Sequence, residues 1–279
     1  MSLDFMSVVH VNVNCSQLAR SLGFYQGALG LTPLSHTRPV PQDGAGFGMP
    51  GRVQWDAWII HDDRGQRAQG IDLLEWKFPT PIGHAAAIHE LGFSRLLLTT
   101  RDTSALHARL VAAGAPPLAE AADAANAAPA PRFAGVALNV GDLAHSVPWY
   151  ERLLGLRASE TLHCEADAAS FGLSGAARWR EATLAATASF AIRLVEWEQP
   201  RALREPKRSA NALGLYRMAL LVEDAGKACA RLDALGLVHS GSVRLDMGPD
   251  IPIDGLSAGF FHDPDGACLE WIELPRSRG

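Results

Sequence analysis

Three glutamates stand where a carboxylate is costly, each inside an apolar–Glu–Trp tripeptide: Leu74-Glu75-Trp76, Val195-Glu196-Trp197 and Leu269-Glu270-Trp271. The residues before them, 71–74, 192–195 and 267–269, read as extended strands. Alternate side chains of a strand share a face, so Glu75 lies with Ile71 and Leu73 and away from Trp76. A carboxylate in an apolar row needs a partner to offset its burial. Burial raises its pKa and a basic neighbour lowers it, so the outcome is a proton-transfer group or an ion pair. Three such residues predict a concave surface that presents carboxylates. Trp76, Trp197 and Trp271 are then expected on the helix side, as core.

The elements that must position these residues repeat. Residues 10–31 align with 135–156 without a gap, Asn14 meeting Asn139, Ser21 meeting Ser146 and Tyr25 meeting Tyr150. A second pair, 92–102 and 214–224, sets Arg95 against Arg217. Each unit reads as strand, polar turn and helix, with helices expected at 18–29, 103–113, 143–154 and 225–235. These are four modules. The fourth continues through 238–243, 258–262 and the turn Asp263-Pro264-Asp265-Gly266 into a last strand. The second instead stops after its helix and enters an Ala/Pro-rich stretch. The expected division is 1–115, one full module plus a truncated second; 116–131, a linker; and 132–279, two full modules. The truncated module leaves a sheet edge, to be covered by the other domain or by a second copy of the chain in a homodimer.

The chain of 279 residues has room for two domains, and its 48% hydrophobic and 20% charged residues suit a soluble globular protein. A net charge of −5 without a Lys/Arg cluster speaks against nucleic acid, and no apolar run is long enough for a membrane. The first residues lack signal-peptide character, and Cys15, Cys164, Cys229 and Cys268 lack metal-type spacing. A cytoplasmic protein with reduced thiols is expected.

Several motifs recur in register: the strand–helix–three-strand unit, Tyr-x-x-x-Leu-Gly-Leu at 25–31 and 150–156, and Phe-x-Asp-Pro-Asp-Gly-x-x-Leu-Glu at 261–270. Together they resemble the vicinal oxygen chelate superfamily, which includes glyoxalase I, bleomycin-resistance proteins, fosfomycin-modifying enzymes and extradiol dioxygenases. The resemblance covers nearly the whole chain outside the linker. It implies an α+β protein of tandem βαβββ modules forming two vicinal-oxygen-chelate-like domains, the N-terminal one abridged. Paired modules would form a partly closed barrel, its inner face holding the site, with the third and fourth looking like a complete pair. In metal-dependent members a divalent ion sits on a His or Gln from each opening strand and a Glu from each closing strand. Position by position, the resemblance implies His10 and Glu75 in the first module and Arg95 alone in the second. The third offers Gly135 and Glu196, and the fourth Arg217 and Glu270.

Two readings of this set stay open. In one, Glu270 and Glu196 are catalytic acid/base groups and Arg217 their electrostatic partner, with no cofactor. The inert version of that set is an ion-pair cluster. In the other, His10 and Glu75, facing the cup together, hold Mn, Fe, Ni or Zn with a rim histidine such as His61, His84 or His89. The inert version of that pair is a hydrogen-bonded core histidine. Trp55 and Trp179 are expected to line the site for a small-molecule ligand. Trp58 falls on the face opposite Trp55. Tyr216 is a further substrate-binding candidate, although alternation turns it toward the helices. The loop 245–254 is expected over the cup mouth. The favoured function is an enzyme of lyase, isomerase or cyclase type, moving protons next to a carbonyl. The alternatives are an antibiotic- or small-molecule-binding resistance protein, and a metal-dependent lyase or dioxygenase.

Overall fold

The computed structural model of the chain describes residues 3–115, 128, 130–204, 208–251 and 255–275. Most of the expected linker and the end of the 245–254 loop thus lie outside the described residues. The first module runs β1 (Phe5–Asn14), α1 (Leu18–Leu29), β2 (Thr32–Thr37), β3 (Gln42–Asp43), β4 (Arg52–His61) and β5 (Gly70–Phe78). The second is β6 (Gly92–Thr99) and α2 (Thr103–Ala112). The third comprises β7 (Arg132–Asn139), α3 (Leu143–Leu154), β8 (Leu162–Asp167), β9 (Ala176–Thr187) and β10 (Phe190–Gln199). The fourth comprises β11 (Gly214–Val222), α4 (Ala225–Ala234), β12 (Val243–Leu245), β13 (Leu256–His262) and β14 (Cys268–Glu273). No helix among the described residues is long and apolar enough to cross a membrane.

Local sequence explains where the helices start and stop. Asp102, Asp142 and Asp224 accept hydrogen bonds from first-turn amides of α2, α3 and α4. Gly30 and Gly155, both at φ 70°, end α1 and α3 in the left-handed conformation that a side chain would strain. That requirement accounts for the repeated Leu-Gly-Leu.

The sheets do not follow the order of the chain. A nine-stranded sheet runs β12-β13-β14-β11-β1-β5-β4-β2, with β3 paired to β4, and a five-stranded sheet runs β6-β7-β10-β9-β8. The first module is therefore joined to the fourth through antiparallel β1 and β11, and the second to the third through antiparallel β6 and β7. The complete pair is one and four, not three and four as expected from sequence. Neighbouring modules two and three consume each other's opening strands, which leaves one and four to close the larger cup. The truncated module's β6 gains one partner, β7, from the third module, and among the described residues no strand lies on its other edge.

One core joins the two sheets. It takes Val11, Ile71, Leu73, Leu220, Leu269 and Trp271 from the first sheet, Val136, Ile192 and Leu194 from the second, and apolar faces of all four helices. Trp271 lies across Gly259, where even a Cβ would sit 2.3 Å from the indole. Polar ties fix the junction: the Phe133 amide donates to Asp62, and the Tyr150 hydroxyl donates to Asp263 at 2.8 Å. Each sheet turns its other, concave face away from this core, and those faces carry Trp55, Trp76 and Phe260 in one case and Trp179, Trp197 and Phe171 in the other.

Candidate functional site

The concave face of the nine-stranded sheet gathers His10 and Asn12 from β1, Asp72 from β5, Arg217 from β11 and Glu270 from β14. All are nearly inaccessible, between 0% and 6% exposed. Arg217 is the hub. Its Nε donates to Glu270 Oε2 at 2.8 Å and its Nη2 to Asp72 Oδ2 at 3.0 Å. Asn12 Nδ2 donates to the same Asp72 oxygen at 3.1 Å. His10 Nε2 stands 3.7 Å from Glu270 Oε2 and 3.9 Å from Asp72 Oδ2. His10 Nδ1 and Nε2, Asn12 Oδ1 and Arg217 Nη1 are buried without a hydrogen-bond partner.

Charge compensation sets the protonation here. Burial works against the Arg217 charge, but Glu270 and Asp72 outweigh it and hold the guanidinium protonated more firmly than usual. Burial also pushes the Glu270 carboxyl up, yet Arg217 and His10 bring it below the ordinary carboxylate value. Glu270 is therefore an ion here, not a stored proton. His61, on the same side of β4 near His10, has its pKa lowered by burial first, with its Nδ1 unpaired.

The Glu-Trp tripeptides misled by three residues in the last module. Glu75 and Glu196 do share a face with Ile71 and Ile192 in kind, but that face looks at the helices. Glu75 accepts from the Leu18 amide at 2.7 Å and Glu196 from the Leu143 amide at 2.9 Å, each at the start of a helix. The fourth-module residue in that role is Glu273, which accepts from the Ala225 amide at 3.1 Å. Glu270 therefore corresponds to Asp72, three residues before Glu75, and not to Glu75 itself. Trp76 and Trp197 correspondingly belong to the concave-face clusters, and only Trp271 packs on the helix side as expected.

Consequently His10 and Glu75 do not share an ion: they lie on adjacent strands but on opposite faces. Glu196 lies in the five-stranded sheet, bonded to Arg180 at 2.7 Å, and does not meet Glu270. Trp55 packs on the concave face of the first sheet and Trp179 on that of the second, so they line different cups. Trp58 packs on the helix side, opposite Trp55. Tyr216 was expected toward the helices, but a bulge between Arg217 and Leu215 opposite Asn12–Val13 breaks the alternation. It packs beside the concave-face cluster, with burial first and Cys268 second raising its pKa well above normal.

Asp72 and Asn12 escaped the sequence reading. The signal for Asp72 was the spacing Asp72–Glu75, which equals Glu270–Glu273. The signal for Asn12 was its alternation with His10. Above them, Trp55, Trp76, Phe47 and Phe260 form an aromatic wall with ring centroids 4.7–5.7 Å apart. Leu245 and Met247 close over it, held by paired hydrogen bonds between Gln42 and the Asp246 backbone. Asp250 meets His36 and Arg38 beyond. The described part of the loop thus covers this cup.

His10, Asp72, Arg217 and Glu270 stand at the opening and closing positions that hold a metal in metal-dependent members of the resembling superfamily. Three could ligate a cation and the fourth cannot, since guanidinium has no lone pair to give and carries positive charge itself. It also bonds one oxygen of each carboxylate, Glu270 Oε2 and Asp72 Oδ2, and sets its own positive charge between them. Among the described residues no group of three or more His, Cys, Asp and Glu side chains is arranged to hold a metal ion. The donor set as it stands does not fit one.

Comparison with known proteins agrees with this architecture. The family model of the Glyoxalase/Bleomycin resistance protein/Dioxygenase superfamily matches residues 7–128 and 132–271. Glyoxalase I from Zea mays superposes with a TM-score of 0.58 at 16% identity, over 96% of this chain and 92% of that one. A dioxygenase candidate from Bacillus subtilis superposes with a TM-score of 0.59 at 14% identity, over 98% and 86%. At such identities the likeness is one of fold. Comparison with curated proteins returned no match. The duplicated modules, their opening and closing strands and the family match together place this chain in the glyoxalase/bleomycin resistance/dioxygenase superfamily, the vicinal oxygen chelate proteins.

Proposed function

We propose that the cup of modules one and four binds a small oxygenated metabolite and moves a proton next to its carbonyl. The observation that supports this is a set of buried polar atoms there without a hydrogen-bond partner, His10 Nδ1, Asn12 Oδ1 and Arg217 Nη1, with His10 Nε2 turned to Glu270 at 3.7 Å. Buried polar atoms are normally satisfied, so a cluster of them without protein partners is a ready set of donors and acceptors for a polar ligand. His10 takes the proton from the carbon beside the carbonyl, on Nδ1, the ring nitrogen with no carboxylate near it. The carbon–hydrogen electrons move onto the carbonyl oxygen as an enolate, which Arg217 Nη1 pairs. Returning the proton at a different carbon completes an isomerisation; expelling a group from the next carbon completes an elimination. Glu270 and Asp72 keep Arg217 charged and placed. Glu196 has no part in this step.

The test is solvent deuterium exchange by NMR, on a panel of 2-oxo acids, hydroxyketones and 1,3-dicarbonyls. Wild type is expected to wash deuterium into at least one compound. His10→Ala should slow that exchange by about 10²–10⁴-fold, the usual worth of a general acid or base. Exchange that is equally fast in His10→Ala would refute the role of His10. Binding without exchange would favour the second reading, a small-molecule-binding resistance protein, which the aromatic wall of Trp55, Trp76, Phe47 and Phe260 supports.

A further inference from the structure

The concave face of the five-stranded sheet carries a cluster of opposite character. Arg95 on β6 stands where the first cup has Arg217, and Arg193 on β10 stands where it has Asp72. Opposite them β9 contributes Glu181, 8% exposed. Arg193 Nη1 lies 3.5 Å from Glu181 Oε1, while Trp179 Nε1 donates to Glu181 Oε2 at 3.0 Å. One carboxylate thus faces two guanidinium groups. Arg95 Nε and Nη2 and Arg193 Nε are buried with no hydrogen-bond partner. Burial acts first to weaken the Arg95 charge; Glu181 opposes this and Arg193 reinforces it. Leaving such donors unpaired is expensive unless something else accepts from them.

The surroundings say what that acceptor is attached to. Trp179, Trp197 and Phe171 pack with ring centroids 5.5–5.6 Å apart beside the arginines, with Leu97 and Ala137 alongside. The first cup is closed by strands from two full modules. This one has only β6 from its second module among the described residues, and the Arg193 side chain is still 37% exposed. A forked donor pair next to a flat apolar floor matches a carboxylate on a planar body.

We propose that this face is a second binding site, for a small organic carboxylate with a flat apolar body, its oxygens on Arg95 and Arg193 and its ring plane against Trp179. The site is separate from the His10 cup and does not rest on the proton-transfer reading. Titration calorimetry of the full chain with benzoate, acetate and inorganic phosphate tests it. Benzoate is expected to bind, acetate to bind more weakly, and Arg95→Gln and Arg193→Gln each to weaken benzoate at least about tenfold, the worth of a charged hydrogen bond. Thermal melts run beside the titrations. Arg95→Gln should melt at or above wild type, because burial penalises the Arg95 charge by more than Glu181 returns and its Nε and Nη2 have no hydrogen-bond partner, whereas a purely structural arginine would lose stability on removal. The proposal is overturned by absence of benzoate binding to wild type, by affinity unchanged in both variants, by phosphate binding tighter than benzoate, or by a lower melting temperature for Arg95→Gln.

Discussion

In the nine-stranded sheet the opening and closing positions carry His10, Asp72, Arg217 and Glu270; in the five-stranded sheet they carry Gly135, Arg193 and Arg95. The fourth has no strand to carry it among the described residues. The first set places two acids around one guanidinium, with hydrogen bonds of 2.8 and 3.0 Å. The second places two guanidinium groups around one acid, which comes from a different strand. Gly135 also removes the opening-strand ligand for a steric reason, since a Cβ there would lie 2.2 Å from the Ala191 carbonyl oxygen. The modules share their backbone plan, and the residue at the closing strand inverts the charge that each face can accept. A guanidinium is thereby a keystone in one cup and a liability in the other.

The sharpest way to break that comparison is the same substitution in both cups. Arg217→Met leaves Asp72 and Glu270 facing each other out of water, and removing one member of a buried ion pair costs about 3–5 kcal/mol. Urea unfolding should show that loss. Arg95→Met deletes a charge with no direct partner and should leave stability equal or higher. Equal losses at both positions would mean that the two cups are electrostatically alike and that the contrast drawn from their contacts fails.

A second contrast lies in acid. The Glu270 carboxyl is held below its ordinary 4.5, so its contribution is fully present above that value and is lost as pH falls through the lower folded-state value. Asp263 behaves the other way. Burial first raises its pKa from 3.8 to about 6, although Tyr150 and the Ala267 amide pull it back. The folded state then binds this proton more tightly than the unfolded chain, so stability falls as pH rises from 3.8 towards about 6. Thermal melts of Asp263→Asn should lose the decline in that window and keep the acid limb below it. A variant whose profile overlays wild type throughout would remove Asp263 from the account.

How much of this was visible beforehand depended on which interactions are local. The starts of α2, α3 and α4, and the ends of α1 and α3, follow from turns and caps a few residues long, and the expected starts agree with those found. Strand alternation correctly set Glu75 with Ile71 and Leu73. It could not say which face turns inward, because both faces of these sheets are apolar: one packs on the shared core and the other holds Trp55 and Trp76. Choosing the wrong face sent Glu75 and Glu196 into the cup and left Asp72 unnoticed. Module pairing was equally hidden, since β1 meets β11 across some two hundred residues and no local feature encodes that contact. Tyr216 was misdirected by a bulge, which changes the count by one residue without any mark in composition.

The smallest expected effect also decides which residues are equivalent. Glu75, Glu196 and Glu273 each accept a hydrogen bond from the first amide of the helix that precedes them in the same module, at 2.7, 2.9 and 3.1 Å. Removing such an acceptor costs about 0.5–2 kcal/mol. Glu273→Ala should therefore fall in that range. Glu75→Ala and Glu196→Ala should lie at its upper end and resemble each other, because each also loses an ion pair of 2.7 Å, with Lys77 and with Arg180. Glu270→Ala should exceed all three, because it leaves Arg217 short of its partner in a site 2% exposed. Should Glu270→Ala instead match Glu75→Ala, the alignment on Glu-Trp would be the correct one, and Asp72 would lose its place beside Glu270 in the cup.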